Sequence, residues 1–198
     1  MTRGATSCAA LLALSGASLG VAACGPPPPP KDQVQKDLDA VAGERTADKL
    51  FDRGKAFHNV GDLTRAEQYY AAALKAGAPS GKVLPHLMRA CVDSHRYRVA
   101  IEYAQPYLVQ HPGDWRLRLV VATLYGAIGE KEEERVQLER ALESNPDDAT
   151  GQYALATLLR DEYKDLPGAD VHFREYLRLD PAGAHAEEAR GGLLKSVP

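Results

Sequence analysis

One leucine position recurs at nearly constant spacing through most of this chain, and that recurrence restricts the fold more than any other feature. Leu74, Leu108, Leu142 and Leu177 lie 34, 34 and 35 residues apart. Three other registers keep the same phase, and they hold Phe57, Cys91, Tyr125 and Leu159, then Ala66, Ala100 and Ala169, then Pro112, Pro146 and Pro181. Registers in phase indicate an internal repeat rather than a helical bundle with coincidental spacing. A unit of this length is one helical hairpin, which cannot bury its apolar face alone, so neighbouring hairpins must stack.

These residues resemble the tetratricopeptide repeat, a helix–turn–helix unit of about 34 residues with proline near its end. Gly54, Ala122 and Ala156 fill a further small-residue register where the two helices would approach closely. The resemblance implies an all-α, right-handed superhelical solenoid of about four repeats over 47–181. The approximate limits of the repeats are 47–80, 81–114, 115–148 and 149–182. The segment 182–198 is predicted to form a capping helix and tail, because a terminal repeat needs a polar cover.

Two positions depart from the pattern. The fourth repeat is one residue longer than the others, and we expect the turn Asp165–Gly168 to absorb the insertion. Glu134 stands where the other repeats have alanine. Because it follows an acidic run, we interpret it as part of a solvated helix start that the helix macrodipole favours. The alternative is loose packing in the third repeat.

The N-terminal residues carry a second pattern. Arg3 precedes an apolar, small-residue stretch over 9–21, and Ala22-Ala23-Cys24 follows. A positive start, a short apolar core and a small-residue cleavage site are typical of a secretory signal peptide. The stretch is short for a spanning helix. Its end resembles a bacterial lipobox, which implies a signal peptide over 1–23, lipidation (palmitate) at Cys24 and a membrane anchor. Plain secretory cleavage or a single-pass anchor is the alternative.

The segment 24–46 is predicted to be a tether. Five consecutive prolines, Pro26–Pro30, would form a stiff polyproline II spacer of about 15 Å. The charged stretch 31–45 is either a short N-terminal helix or a flexible stalk. Gly25 after the cysteine favours the outer membrane in enterobacteria-like sorting. We therefore expect a lipid-anchored protein of the bacterial cell envelope, facing the periplasm.

Composition and motifs argue against an enzyme. Loss of 1–23 removes only Arg3, so the formal charge moves from −3 to −4, and a mildly acidic chain lacks the basic patch of nucleic-acid binders. The histidines and cysteines have no metal-ligand spacing. The run Gly77–Lys82 superficially resembles a phosphate-binding loop, but Val83 replaces the hydroxyl that holds magnesium. We predict no cofactor and no metal, and we interpret Cys91 as a buried small hydrophobe.

The resemblance also implies where a partner binds, since the first helix of each repeat lines the concave face in this family. The corresponding positions are Phe51, Lys55, Asn59, Lys82, Arg89, Asp93, Arg116, Leu119, Thr123, Tyr153, Thr157 and Arg160. Apolar anchors mixed with cations suit an extended or helical segment that carries some negative charge. The alternative is that these are ordinary exposed helix residues, with Leu119 and Tyr153 packing on neighbours.

The sequence therefore predicts a membrane-anchored scaffold that recruits or positions another envelope protein through protein binding. Two more specific functions resemble known lipoproteins of this repeat class. One is a pilotin-like assembly factor for a secretin, and the other is a subunit of the outer-membrane protein assembly machine. A regulator that tethers a cell-wall enzyme is the remaining alternative.

Overall fold

The structure, a computed structural model, describes residues 45–194 together with Lys36 and Gly43. The predicted signal peptide, the lipidated Cys24 and the proline run lie outside the described residues. Among the residues described, none of the helices combines the length and the apolar character that crossing a membrane requires.

The described part of the chain consists of nine α-helices and no strand. In chain order they are α1 Ala47–Asn59, α2 Leu63–Lys75, α3 Ser80–Asp93, α4 Tyr97–Gln110, α5 Trp115–Ala127, α6 Lys131–Ser144, α7 Ala149–Leu158, α8 Leu166–Leu179 and α9 Ala186–Gly191. A π-helical turn, Leu159–Tyr163, extends α7. Each helix packs chiefly against its neighbours in sequence. The prediction of an all-α stack of four helical hairpins with a C-terminal capping helix is confirmed.

Aspartates determine where several helices begin. Asp62, Asp114, Asp148 and Asp165 each accept a hydrogen bond from the backbone N–H three residues further on. Such N-caps satisfy a donor that the first helical turn leaves free, and each is worth about 1 kcal/mol. Because they recur at the start of α2, α5, α7 and α8, the helix limits follow from the local sequence.

The two helices of every repeat are joined by the same tight turn. Gly61, His95, Gly129 and Lys164 adopt the left-handed conformation at that turn, with φ of 78°, 58°, 79° and 56°. In the first three repeats the next residue donates its N–H to the carbonyl five residues back, and the acceptors are Phe57, Cys91 and Tyr125. Two of the four positions are glycine, which adopts this conformation without steric cost.

The extra residue of the fourth repeat lies in its first helix, so our assignment of the insertion to Asp165–Gly168 is wrong. The Asp165 N–H donates to the carbonyl of Leu159, six residues back instead of five. The additional residue is taken up by the π-helical turn Leu159–Tyr163. A π turn closes its hydrogen bonds over one more residue than an α turn, so it absorbs an insertion without breaking the helix.

Small residues lie where the helices of a hairpin touch. Ala66, Ala100 and Ala169 are completely or almost completely buried. Glu134, in the same register, is half-buried and pairs with Lys131 at 3.0 Å. A Cβ atom on Gly126 of α5 would lie 2.7 Å from the Glu134 carboxylate. Gly126 therefore leaves space for the Glu134 side chain, which is larger than the alanine of the other repeats. Because Glu134 is half-buried, the start of α6 is only partly exposed to solvent.

Cys91 is buried in the core of the second repeat. Its burial, and the nearby Glu67 carboxylate, raise the pKa of the Cys91 thiol to about 12. A thiol with this pKa stays protonated at neutral pH and is a poor nucleophile. The interpretation of Cys91 as a small buried hydrophobe is confirmed.

Candidate functional site

A cavity of about 520 Å³ opens between α3 and α5, the first helices of the second and third repeats. We call it the α3–α5 groove. Its lining consists of Gly81, Leu84, Pro85, Met88, Arg89 and Val92 from α3, Tyr107 from α4, and Asp114, Arg116, Leu117 and Val120 from α5 and its N-cap. Apart from two arginines and one aspartate, these side chains are apolar or aromatic.

The groove has a buried floor and an exposed apolar wall. Leu84 and Met88 are buried in the core, so they form a fixed floor. Val120 on the α5 side is 46% exposed, which is unusual for a large apolar side chain beside an apolar cavity. An apolar surface of this kind gains free energy when a ligand removes it from water, at about 25 cal/mol per Å².

Pro85 lines the groove and removes one backbone hydrogen bond from α3. It lies inside α3, where a proline lacks the N–H that would bond the carbonyl four residues earlier. That carbonyl belongs to Gly81, which also lines the groove. The Gly81 carbonyl oxygen therefore lacks its usual hydrogen bond from the residue four positions later.

The charged residues of the groove are two arginines and Asp114, whose carboxylate caps the start of α5. The Arg116 guanidinium lies 4.2 Å from the Trp115 ring and forms no ion pair with any described residue. Arg89 pairs with Asp93 at 2.8 Å. The hydrogen bond from Arg89, together with one from His58, holds the pKa of Asp93 below its usual value. Arg89 is thus largely neutralised, and Arg116 carries most of the uncompensated charge.

Solved structures share this arrangement of helices. A tetratricopeptide repeat protein from Parabacteroides merdae superposes with a TM-score of 0.67 and 20% identity, over 74% of this chain and 58% of that one. MamA from Desulfovibrio magneticus gives a TM-score of 0.60 and 17% identity, over 77% and 87% of the two chains. YrrB, described as a TPR protein with an unusual peptide-binding site, gives 0.62 and 17%, over 81% and 86%.

This chain has the tetratricopeptide-repeat fold. No family model matches its sequence. No curated protein sequence matches it either. The resemblance that the repeated registers suggested is therefore supported by three-dimensional similarity at low sequence identity.

The tetratricopeptide-repeat fold places only some of the predicted contact residues in one site. Arg89 and Arg116 both line the α3–α5 groove. Asp93 lies one turn beyond Arg89 and holds that arginine at the rim. These are the predicted residues that the structure brings together around a cavity.

The first repeat differs from the expectation. Phe51 is only 4% exposed and packs against Tyr70 and His86, so it is a core residue and not an accessible anchor. Lys55 and Lys82 cover its ring at 5.0 and 4.8 Å. These two lysines also pair with carboxylates, Lys55 with that of Asp52 at 2.8 Å and Lys82 with that of Asp48 at 3.0 Å. Asn59, the last residue of α1, is exposed.

On α5, Leu119 and Thr123 lie beyond the groove. Leu119 is half-buried and packs against the core cluster that contains Leu142 and Leu155. Thr123 is exposed, and its hydroxyl donates to the Leu119 carbonyl at 3.0 Å. For Leu119 the structure supports the alternative interpretation, packing on a neighbouring repeat.

In the fourth repeat the predicted contact face is already occupied by the C-terminal segment. Tyr153 stacks on His185 with ring centroids 4.0 Å apart, and its hydroxyl donates to Glu188. Burial and this carboxylate raise the pKa of Tyr153 to about 12. Arg160 donates to Glu188 at 2.9 Å, and the Thr157 hydroxyl donates to backbone carbonyls of its own helix. A partner would have to displace α9 to reach this face.

Several groove residues are not among the contact residues predicted from the sequence. Two of them could have been predicted, because Pro85 shares the register of Leu119 and Tyr153, and Val92 shares the register of Arg160. Leu117 and Val120 lie between the mapped positions, and Tyr107 comes from the second helix of its repeat. No repeated sequence position identifies these three residues. Their exposure depends on the distance between two adjacent repeats, which the sequence does not give.

Proposed function

We propose that this chain is an adaptor of the bacterial envelope that is anchored by a lipid at Cys24 and binds a segment of another protein in the α3–α5 groove. The observation that carries the proposal is an open apolar cavity with an unpaired arginine at its rim. Its occurrence in a fold whose solved neighbours include a protein with a peptide-binding site supports this function.

The size and lining of the groove suit side chains of a protein segment. Its volume of about 520 Å³ lies within the range of roughly 300–1,000 Å³ that is common for ligand sites. A floor of buried Leu84 and Met88 keeps its shape without a ligand, which reduces the entropy cost of binding. Anchors of this kind, a large apolar or aromatic side chain in a desolvated pocket, provide most of the affinity in protein interfaces.

The charge at the rim favours an acidic residue beside that anchor. Arg116 has no carboxylate partner among the described residues, whereas Arg89 is held by Asp93. A carboxylate on the partner would form a charge-assisted hydrogen bond with Arg116. The preferred ligand is therefore a short segment with one or two large apolar side chains and an adjacent aspartate or glutamate.

The anchoring part of the proposal depends on the sequence around Cys24. A single acyl chain binds membranes only marginally, and stable attachment takes two or more. Lipidation of the lipobox type supplies that number, and the prolines after it would hold the repeats away from the bilayer. Gly25 supports placement in the outer membrane, facing the periplasm.

The groove is tested with a substitution that leaves the core untouched. Val120→Asp introduces a charge into the apolar wall at an exposed position, while Val171→Asp makes the same change on α8, where the valine is 62% exposed and outside the groove. Proteins recovered with the tagged chain from detergent-solubilised envelopes are compared by mass spectrometry. We expect Val120→Asp to lose a partner that the wild type and Val171→Asp both retain. Equal recovery by both variants would contradict the groove as the binding site.

The identity of that partner distinguishes the possible roles. Recovery of a secretin or an outer-membrane barrel protein indicates assembly, and recovery of a cell-wall hydrolase indicates regulation.

Lipidation is tested separately by labelling cells with a radioactive or clickable palmitate. The label should be lost in Cys24→Ala and kept in Cys8→Ala, and a labelled Cys24→Ala chain would contradict the anchor.

A further inference from the structure

Another face of α5 borders two adjoining cavities of about 410 and 430 Å³. Both cavities are lined by Pro112 from the loop before α5, Arg118 from α5 and Arg140 from α6. We call Arg118 and Arg140 the arginine pair. This site is separate from the α3–α5 groove, which involves Arg116, Leu117 and Val120 of the same helix.

Arg118 is a buried cation without a counter-ion. It is 8% exposed. Its Nε and Nη2 donate to the Pro112 carbonyl at 3.1 Å each, and Nη1 donates to Gln137 Oε1 at 3.2 Å. A guanidinium has five N–H donors, so one N–H remains on each terminal nitrogen. No described carboxylate lies within ion-pair distance of it, and burying a charge without such a partner is costly.

The next repeat shows that the local structure does not need this charge. Gln152, 34 residues after Arg118, is 6% exposed and donates its Nε2 to the Pro146 carbonyl at 2.8 Å. Its Oε1 lies 2.7 Å from His172 Nδ1, as the Gln137 amide lies beside Arg118. A neutral amide therefore makes the same contact between helix and loop. The charge of Arg118 has another explanation.

Arg140 adds a second positive charge to the site. It is exposed and forms no ion pair with any described residue. After burial itself, the positive charge of Arg140 contributes to lowering the pKa of Arg118, while Glu143 and Asp114 act in the opposite direction. Glu143 lines the cavity of about 430 Å³ beside Ser144, and the Asp114 carboxylate is engaged as the N-cap of α5. Two cations facing one available carboxylate leave the site positive.

We propose that the arginine pair binds an oxyanion, a carboxylate or a phosphate, on a small ligand whose apolar part packs against Leu108, Val109 and Tyr125. The two free N–H groups of Arg118 and the guanidinium of Arg140 donate to the anion, since guanidinium groups bind planar and tetrahedral oxyanions with paired hydrogen bonds. The three apolar side chains line the adjoining cavity, and Val109 is among the most exposed large apolar residues described.

Binding is measured by isothermal titration calorimetry at constant ionic strength, with sodium chloride as the balancing salt. Inorganic phosphate probes the anion alone, hexanoate probes an anion with an apolar chain, and hexanol probes the chain alone. We expect hexanoate to bind more tightly than phosphate and hexanol to give no signal. If neither phosphate nor hexanoate gives heat beyond that of chloride, the proposal is overturned. Phosphate binding equal to hexanoate binding would overturn the apolar contact.

Three variants assign the binding to the arginine pair. Arg118→Gln copies the natural Gln152 arrangement and should keep the fold while it weakens hexanoate binding at least tenfold. Arg140→Gln, at an exposed position, should weaken binding similarly and provides the test if Arg118→Gln fails to fold. Arg98→Gln removes the same charge from α4, where the side chain is 65% exposed and lines neither the groove nor the two cavities, and it should bind hexanoate as the wild type does. Wild-type affinity in the first two variants would overturn the proposal, and this outcome is independent of whether Val120→Asp captures a partner.

Discussion

At Gly54 the helices of the first repeat approach so closely that no other side chain fits. A Cβ atom there would lie 2.5 Å from both Cδ1 and Cε1 of the Tyr70 ring, which is completely buried and cannot move aside. We expect Gly54→Ala to lower the free energy of unfolding by about 1–3 kcal/mol, because overpacking forces the helices apart. Urea unfolding followed by circular dichroism measures the change.

Gly81 provides the matched control for this substitution. It also lies in a first helix of a repeat, but its Cβ would be 3.8 Å from the Tyr107 hydroxyl, an ordinary contact. Gly81→Ala should leave stability unchanged or raise it by up to about 1 kcal/mol, since alanine favours a helix over glycine. If both substitutions had the same effect on stability, close packing against Tyr70 would not be the reason for the glycine at position 54.

At the scale of the element, the registers predicted the helices and their core faces because each register marks a packing contact that repeats. They could not locate the insertion in the fourth repeat. A spacing of 35 instead of 34 residues between Leu142 and Leu177 reveals one extra residue. The spacing is the same whether that residue lies in a turn or in a helix, so it does not give the position. The hydrogen bond from the Asp165 N–H to the Leu159 carbonyl places it in the π-helical turn that extends α7.

The residues of the candidate site were harder to predict than the helices, because sites form between repeats and the registers describe single repeats. Single-residue registers identified Arg89 and Arg116, and both line the groove between two first helices. Phe51 carries the same register signal, yet Tyr70 and His86 enclose it. The arginine pair was not predicted, because it depends on three segments meeting, α5, α6 and the loop at Pro112. Cavities form where neighbouring repeats meet. A sequence position defined within a single repeat does not predict how the surfaces of two repeats fit together.

The π-helical turn has a testable consequence for the fourth repeat. Deleting Glu162, which is exposed within the turn Leu159–Tyr163, should convert it to regular helix and restore the 34-residue spacing. We expect the helical circular dichroism and the melting temperature to change little. Deleting Ala127, at the end of α5 in the third repeat, has no extra residue to compensate for it. That deletion rotates the start of α6 by about 100° and should lower the melting temperature sharply. Equal tolerance of both deletions would contradict the assignment.

For the stack of repeats as a whole, the contacts of each helix with its sequence neighbours predict that stability is local. In a repeat array, stability is approximately the sum of single-repeat terms and nearest-neighbour interfaces. The C-terminal helix α9 is an example of a nearest-neighbour interface. Ala186 and Ala189 are buried against the last hairpin, and the His185 N–H donates to the Tyr176 hydroxyl at 3.1 Å. Together with the stacking of His185 on Tyr153, these contacts cover the end of the core.

A chain that ends after Gly183 should therefore unfold from its C-terminal end and not as a unit. Removal of α9 exposes Phe173, Tyr176 and Tyr153, so we expect amide hydrogen exchange in α7 and α8 to accelerate at least tenfold. The amides of α1–α4, which belong to the first two repeats and do not pack extensively against α9, should exchange at wild-type rates and serve as the internal control. Exchange measured by mass spectrometry on peptides from each helix distinguishes the two regions. A uniform acceleration in all helices would mean that the described repeats unfold as one cooperative unit, so that local stability would no longer follow from neighbour contacts.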